Sequence, residues 1–306
     1  VGMASNICSF NLKEVCDTAI AVIENGDHPI ASTLLAPDFS QGGQLLYNKD
    51  ELNKIYETGR GSFRLRSKYR VLEKENIIEI YEIPYTTTVE AIIDKIIELT
   101  KSGKLKEVSD VRDETDLSGL RIAIDCKRGV DPDRLMARLF KLTTLEDSFS
   151  CNFNILVRGT PKVMGVREIL NEWTAFRADC VRRRISFDLT HMKERLHLLE
   201  GLRAILLDID KAITIIKNTQ EDSEVIPNLM IGFGIDEAQA QYIAEIRLRA
   251  LNRELVLKRL AEVEELRAEI ARLGDILASE SRLTAVIVEE LKTVHYDTEK
   301  GIINYG

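Results

Sequence analysis

The apolar positions of residues 254–277 form a seam. Val256, Leu260, Val263, Leu266, Ile270, Leu273 and Leu277 follow one another at steps of 4, 3, 3, 4, 3 and 4. Near-heptad spacing with one stammer keeps a single stripe of a helix turned toward a partner helix. An upstream stretch, about Val166 to Ile216, repeats the rule at Leu189, Met192, Leu196, Leu199, Leu202, Leu206, Ile209, Ile213 and Ile216, without proline and with Gly201 as its one glycine. Two such seams in one chain predict an antiparallel coiled-coil arm, outgoing over 166–217 and returning over 254–306 together with a C-terminal helix. At ~1.5 Å per residue the seam of the returning stretch spans roughly 35–40 Å. Gly201 predicts a bend or a close helix approach.

A compact head, 218–253, lies between the two arms. Asp236 and Gln239 are placed to cap a helix carrying Ala240, Ile243, Ala244, Ile246, Leu248 and Leu251. That is more apolar surface than one short helix hides at an exposed tip. The reading is a two-fold contact between copies of the chain through Ala240, Tyr242, Ile243, Ile246 and Leu248. The alternative is closure of the head on itself through Ile226, Leu229, Met230, Ile231 and Phe233.

The period changes upstream. Phe63, Leu65, Ser67, Tyr69 and Val71 alternate with Arg64, Arg66, Lys68 and Arg70, which predicts one strand with a cationic face. Like charges at that spacing repel, so a bound polyanion would relieve the cost. Acidic cross-strand partners would do the same, and Glu79 and Glu82 on the next strand could supply them; both readings stand at this point. The order then runs strand (63–72 with 76–83), helix (88–101), strand (107–112), strand (119–127), helix (132–142), strand (149–156). Thr87 with Glu90 forms a capping box, and Asp131-Pro132 a cap with proline in the first turn. This is a split β-α-β layout in an α+β domain over 1–160, joined through Thr160-Pro161 to the arm.

Composition narrows the classes. The net charge of −8 removes bulk attraction to nucleic acid, so a basic site must be local. Cys8, Cys16, Cys126, Cys151 and Cys180 form no C-x-x-C pair, and the four histidines lie at no zinc spacing; reduced buried thiols in the cytoplasm are the reading. No apolar run reaches membrane-spanning length. The chain starts at Val1 in mid-pattern and reads as a piece of something longer. Trp173, Phe176 and Phe187 read as core against the α+β domain, and Arg182-Arg183-Arg184 as solvated helix surface.

The segments VGMASNI (1–7), PDFSQGG (37–43), YETGRGSFRLRSKYR (56–70), YEIPY (81–85), VRDETDLSGLRIAIDCKR (111–128) and EAQAQYIAEIRLRA (237–250) resemble, in order and across the whole chain, the A subunit of bacterial type IIA topoisomerases, the family of DNA gyrase and topoisomerase IV. The resemblance implies an α+β multidomain chain. Residues 1–10 would end a winged-helix DNA-gate region, 11–165 would form the tower domain, and the arm would carry an exit-gate head at 218–253. It implies double-stranded DNA, a second copy and a B subunit (an A2B2 assembly) as partners, with Mg2+ and ATP supplied through the B subunit. It makes Ile7, which composition alone marks as a buried turn residue, a wedge between base pairs. It makes Arg64, Arg66 and Lys68, with Arg60 beside them, neutralisers of backbone phosphate. The family's nucleophilic tyrosine would lie before position 1, so no catalytic residue and no metal ligand are assigned. Two other classes fit the bare pattern: a structural coiled-coil spacer and a non-enzymatic DNA-architectural protein. The choice between gyrase and topoisomerase IV rests on a C-terminal wrapping domain that these segments do not include.

Overall fold

The computed structural model describes residues 3–297 and 302–304. The chain forms two compact units, Val1–Thr174 with Glu290–Gly306, and Ala175–Glu289.

The first unit contains α1 (Leu12–Glu24), β1 (Gln44–Leu46), α2 (Lys49–Thr58), β2 (Arg60–Arg66), β3 (Lys68–Leu72), β4 (Ile77–Glu82), α3 (Val89–Lys101), β5 (Val108–Asp113), β6 (Ile122–Cys126), α4 (Pro132–Leu142), β7 (Glu146–Asn152), β8 (Asn154–Val157) and β9 (Thr160–Val163). One sheet has the order β3-β4-β6-β5. β4 and β5 are each antiparallel to β6, so they run parallel with β6 between them and α3 as crossover, which is the split β-α-β arrangement. Ile78 and Ile80 of β4 and Ile122 and Ile124 of β6 are buried against Ile92 and Ile96 of α3 and Leu135, Met136 and Leu139 of α4. Asp131 caps α4 ahead of Pro132. The cap of α3 falls one residue later than expected: Thr88 Oγ1 accepts the Ala91 N–H, while Thr87 is buried with its hydroxyl 2.6 Å from that of Thr144.

The second sheet, β1-β2-β7, has its own core. Phe63, Leu65, Phe149 and Cys151 are buried with Leu52, Ile55 and Tyr56 of α2, and the Phe63 and Phe149 rings stack at 5.3 Å. The single cationic strand expected over 63–72 is thus two strands in two sheets. The break is Ser67, which is buried and donates its N–H to Leu145 O. Alternation survives the break, but β2 pairs with β7 and β3 with β4. Thr160 and Pro161 are no linker either. They lie in β9, which returns on β8 through Arg158 and Gly159, both at positive φ.

The second unit contains most of α5 (Val166–Leu206), then α6 (Ile209–Asn218), α7 (Val225–Phe233), α8 (Glu237–Ala244), α9 (Arg253–Leu277) and the start of α10 (Glu280–Thr293). Arg182 of α5 pairs with Glu280 at the start of α10, and Arg195, further along α5, with Glu262 of α9, so the stretch from α9 into α10 returns antiparallel to α5. Leu199 and Leu202 bury against Val263, with Leu196, Leu206 and Leu266 at the margin. The Arg195 guanidinium beside Glu262 holds that carboxyl below its usual range. Gly201 serves close approach: a Cβ there would lie 2.7 Å from the Gln239 Cβ.

The outgoing seam does not continue to Ile216. α5 ends at Leu206, and Asp208 accepts the Lys211 N–H to start α6, which leaves Ile213 and Ile216 exposed. Their spacing is unchanged; the helix axis is new, because a capping aspartate interrupts the ladder. Trp173, Phe176 and Phe187 are exposed rather than core. On the same helix Val181 and Ile185 take the buried stripe.

A final hairpin, β10 (His295–Asp297) with β11 (Ile302–Asn304), follows α10. The remainder of the expected tail lies outside the described residues.

Candidate nucleic-acid interface

Residues directly opposite one another on neighbouring strands share a face. In the β1-β2-β7 sheet, Phe63 and Leu65 point into the core, so Arg60, Ser62, Arg64 and Arg66 face outward. Their partners on β7 are Asn152, Ser150, Ser148 and Glu146, and Leu46 and Gln44 of β1 lie opposite Arg64 and Arg66. The outer face therefore carries three guanidiniums, three hydroxyls, two amides and Leu46 around a single carboxylate. Guanidiniums, hydroxyls and amides are the donors that contact phosphate oxygens in nucleic-acid complexes.

The guanidiniums are not equivalent. Arg60 has no carboxylate within ion-pair distance among the described residues. Arg64 Nη2 lies 2.8 Å from Glu146 Oε1, with the arginine side chain 59% exposed. Arg66 gives Nε and Nη2 to Glu146 Oε2 at 2.7 and 2.6 Å and lies over the Phe140 ring at 4.6 Å. Lys68, expected in the same row, belongs to the other sheet, 2.9 Å from Glu82. Burial acts to raise the Glu82 carboxyl, but the Lys68 ammonium and the Gly43 N–H outweigh it and hold it below its ordinary value. Arg70 pairs with buried Glu79, which also faces Arg121 at 3.1 Å. Acidic cross-strand partners thus account for Lys68 and Arg70, as one of the two sequence readings allowed. The partner of Arg64 and Arg66, Glu146, was missed; a lone glutamate after a helix carries no signal that it will lie opposite residue 66.

The N-terminal segment adds to the edge of this sheet. Asn6 and Asn152 exchange both backbone hydrogen bonds, at 2.9 and 2.8 Å. Asn6 Nδ2 reaches Ser150 O, and the side chains of Asn152 and Asn154 both donate to Ala4 O. Cys8 is buried, its Sγ 3.9 Å from that of Cys151. Between these two anchored residues Ile7 is 48% exposed, not buried as composition alone suggests. Across Asn152 from Asn6 lies Arg60, two strand spacings away, or roughly 10 Å. An exposed apolar side chain and an unpaired guanidinium therefore share one end of the sheet.

Neither Tyr56 nor Tyr69 has the surroundings of a nucleophile. Tyr56 is buried and donates to Leu34 O at 2.9 Å, and burial pushes its phenol up. Burial raises that of Tyr69 too, helped by its hydrogen bond to Asp133 Oδ1. An activated phenol needs the opposite shift. Among the described residues no three His, Cys, Asp or Glu side chains converge to hold a metal ion.

In the second unit the five head residues separate. Asp236 and Gln239 form the expected capping box; the Gln239 N–H, then His197, hold the Asp236 carboxyl below its usual range. Ala240 is fully buried, and Ile243 is buried with Ile205 and Ala212. Both are thus buried within the chain itself, Ile243 against Ile205 of α5 and Ala212 of α6. Tyr242 and Ile246 are half-buried against the α5–α9 pair. Leu248 alone of the five is open to solvent, 79% exposed, and Leu207 and Ile231 in the same unit are equally open.

The family model for the A subunit of DNA gyrase/topoisomerase IV matches residues 1–292. The chain belongs to this family. It is 38% identical over 296 residues to a DNA gyrase A subunit of Borreliella burgdorferi, covering 95% of this chain and 36% of that one. It is 37% identical over 300 residues to that of Metamycoplasma arthritidis, with 96% and 33% covered. A probable chloroplastic/mitochondrial DNA gyrase A subunit of Oryza sativa is 36% identical over 298 residues, with 95% and 32% covered. The chain spans about a third of the length of these relatives, and the family occurs in bacteria and in plant organelles. Among the described residues no helix is long and apolar enough to cross a membrane.

Proposed function

We propose that this chain is the DNA-bending and exit-gate portion of the A subunit of an ATP-dependent type II topoisomerase, an enzyme that passes one duplex through a transient break in another. The observation that carries the reading is Ile7, an exposed aliphatic side chain held by backbone hydrogen bonds at the edge of a sheet whose outer face is built of arginines and hydroxyls. An apolar wedge trades unstacking for a bend; the arginines hold the bent backbone without reading bases. Strand cleavage is assigned to no residue here. ATP and Mg2+ would come with a B subunit in an A2B2 assembly. Buried reduced thiols fit a reducing compartment such as the bacterial cytoplasm. Neither a coiled-coil spacer nor a scaffold arm needs the Ile7 edge.

The wedge and the cations separate experimentally. With Ile7→Ala, the bend of a duplex labelled at both ends should relax while the slope of log affinity against log salt stays unchanged, because no phosphate contact is lost. Arg60→Ala and Arg64→Ala should each flatten that slope by about 0.9. If all three variants bind and bend as the wild type does, the reading fails.

The α5–α9 pair serves in this proposal as a coiled-coil arm carrying the head, and the head as the place where two copies meet. Leu207, Ile231 and Leu248, which the same chain leaves uncovered, are the proposed contact residues in place of Ala240 and Ile243. Leu248→Asp and Ile231→Asp should each convert a sedimenting dimer to monomer at micromolar concentration. A dimer that survives both substitutions would place the contact elsewhere.

A further inference from the structure

The outer face of the β1-β2-β7 sheet holds one carboxylate among its cations, and its position is specific. Glu146 is nearly buried, its side chain 8% exposed, and both of its oxygens are taken by guanidiniums, Oε1 by Arg64 and Oε2 by Arg66. A face meant to receive phosphate would bind it more tightly without this acid. We propose that Glu146 is a latch on that face: it holds Arg64 and Arg66 in place while the face is free and releases Arg64 to the phosphodiester of an incoming duplex. The proposal rests on the reading of this face as a DNA contact.

The asymmetry of the two arginines carries the argument. Arg66 is fixed from two directions, by a two-point contact with Glu146 and by the Phe140 ring; α4, which supplies Phe140, belongs to the other sheet's core. Its guanidinium is a structural pin. Arg64 touches Glu146 through one nitrogen and keeps most of its donors in solvent, where an ion pair is weak. A phosphate oxygen replaces a carboxylate oxygen for such a donor without change of geometry. Once Arg64 has moved, the charge of Glu146 stays balanced by Arg66, so the exchange strands no buried charge. Binding thus draws on cations already ordered, and the acid sets how strongly the face holds duplex of any sequence. In an enzyme that must later let DNA go, that ceiling is useful.

The test is duplex binding by the whole 306-residue chain over a salt series, read by fluorescence anisotropy. Glu146→Gln should bind about three- to tenfold tighter near 0.1 M salt with the slope unchanged, because Arg64 already meets phosphate in the wild-type complex. Glu146→Asp, too short to span both guanidiniums, should fall between it and the wild type and gives a second route should the glutamine variant fold poorly. In an Arg64→Ala background Glu146→Gln should bring no gain in affinity. Asp147→Asn is the charge control; this aspartate accepts the Thr86 hydroxyl instead. The latch is overturned if Glu146→Gln and Glu146→Asp bind no tighter than the wild type, if the gain persists without Arg64, or if Asp147→Asn matches it. A wild-type chain with no salt-dependent affinity would instead remove the DNA reading, and the latch with it.

Discussion

Gly165→Ala is expected to lower the unfolding midpoint of the first unit by roughly 10 °C. A Cβ at Gly165 would stand 2.3 Å from Glu57 O and 2.5 Å from Tyr56 O. These are backbone atoms at the end of α2, which no side-chain rotation can move aside. On the same joint Gly59 ends α2 with φ at +72°, and a Cβ there would lie 2.3 Å from Met164 O. The last turn of α2, the start of β2 and the entry to α5 therefore meet through backbone alone. Overpacking such a contact costs about 3 kcal/mol, and a unit of this size loses ~2–4 °C for each. Gly274→Ala is the contrast. A Cβ there meets nothing within 4 Å on α9, so the helix should gain about 0.5–1 kcal/mol. Differential scanning calorimetry of both variants decides it; equal midpoints would refute the close contact. Because Arg60 follows Gly59 directly, Gly165→Ala should also weaken DNA binding by disordering the start of β2.

Leu199→Ala is expected to destabilise the second unit by about 3 kcal/mol, within the range for a fully buried leucine whose cavity does not collapse. Leu199 is 1% exposed where α5 meets α9, beside Leu202 and Val263. Truncating Leu257, an exposed residue of α9, to alanine should cost less than about 0.5 kcal/mol. Urea titration followed by circular dichroism separates the two cases. A Leu199→Ala midpoint as high as that of Leu257→Ala would mean that the seam does not hold the helices together. In the proposed assembly this loss would carry over to the dimer, since the same pair of helices buries one side of Tyr242 and Ile246.

These effects bear on what could be read from the chain before its fold was known. The seam from Val256 to Leu277 lies on one helix, α9, because heptad spacing is a statement about neighbours three and four apart, and such neighbours meet on any helix. Asp131-Pro132, Asp236 with Gln239, and the split β-α-β order were legible for the same reason: caps, turns and alternation are local. Six sequence segments spread over the chain were enough to indicate its family. The failures share a cause as well. The row Arg64, Arg66, Lys68, Arg70 alternates without interruption, and nothing local shows that Ser67 carries the chain from one sheet to another. Ile213 and Ile216 keep the spacing of the seam after Asp208 has started a new helix.

By itself the sequence determined the local periodicity, the helix starts and the family, all set by contacts within a few residues or by matching segments in order. The tertiary structure alone decided which charges are neutralised and which apolar groups remain open. Arg66 finds its carboxylate 80 residues along the chain, Ile243 is buried against Ile205 and Ala212 of other helices, and Ile7 stays exposed because Asn6 and Cys8 on either side are tied to β7. Pairing and burial depend on which distant segments are brought together, and a one-dimensional pattern does not contain that distance.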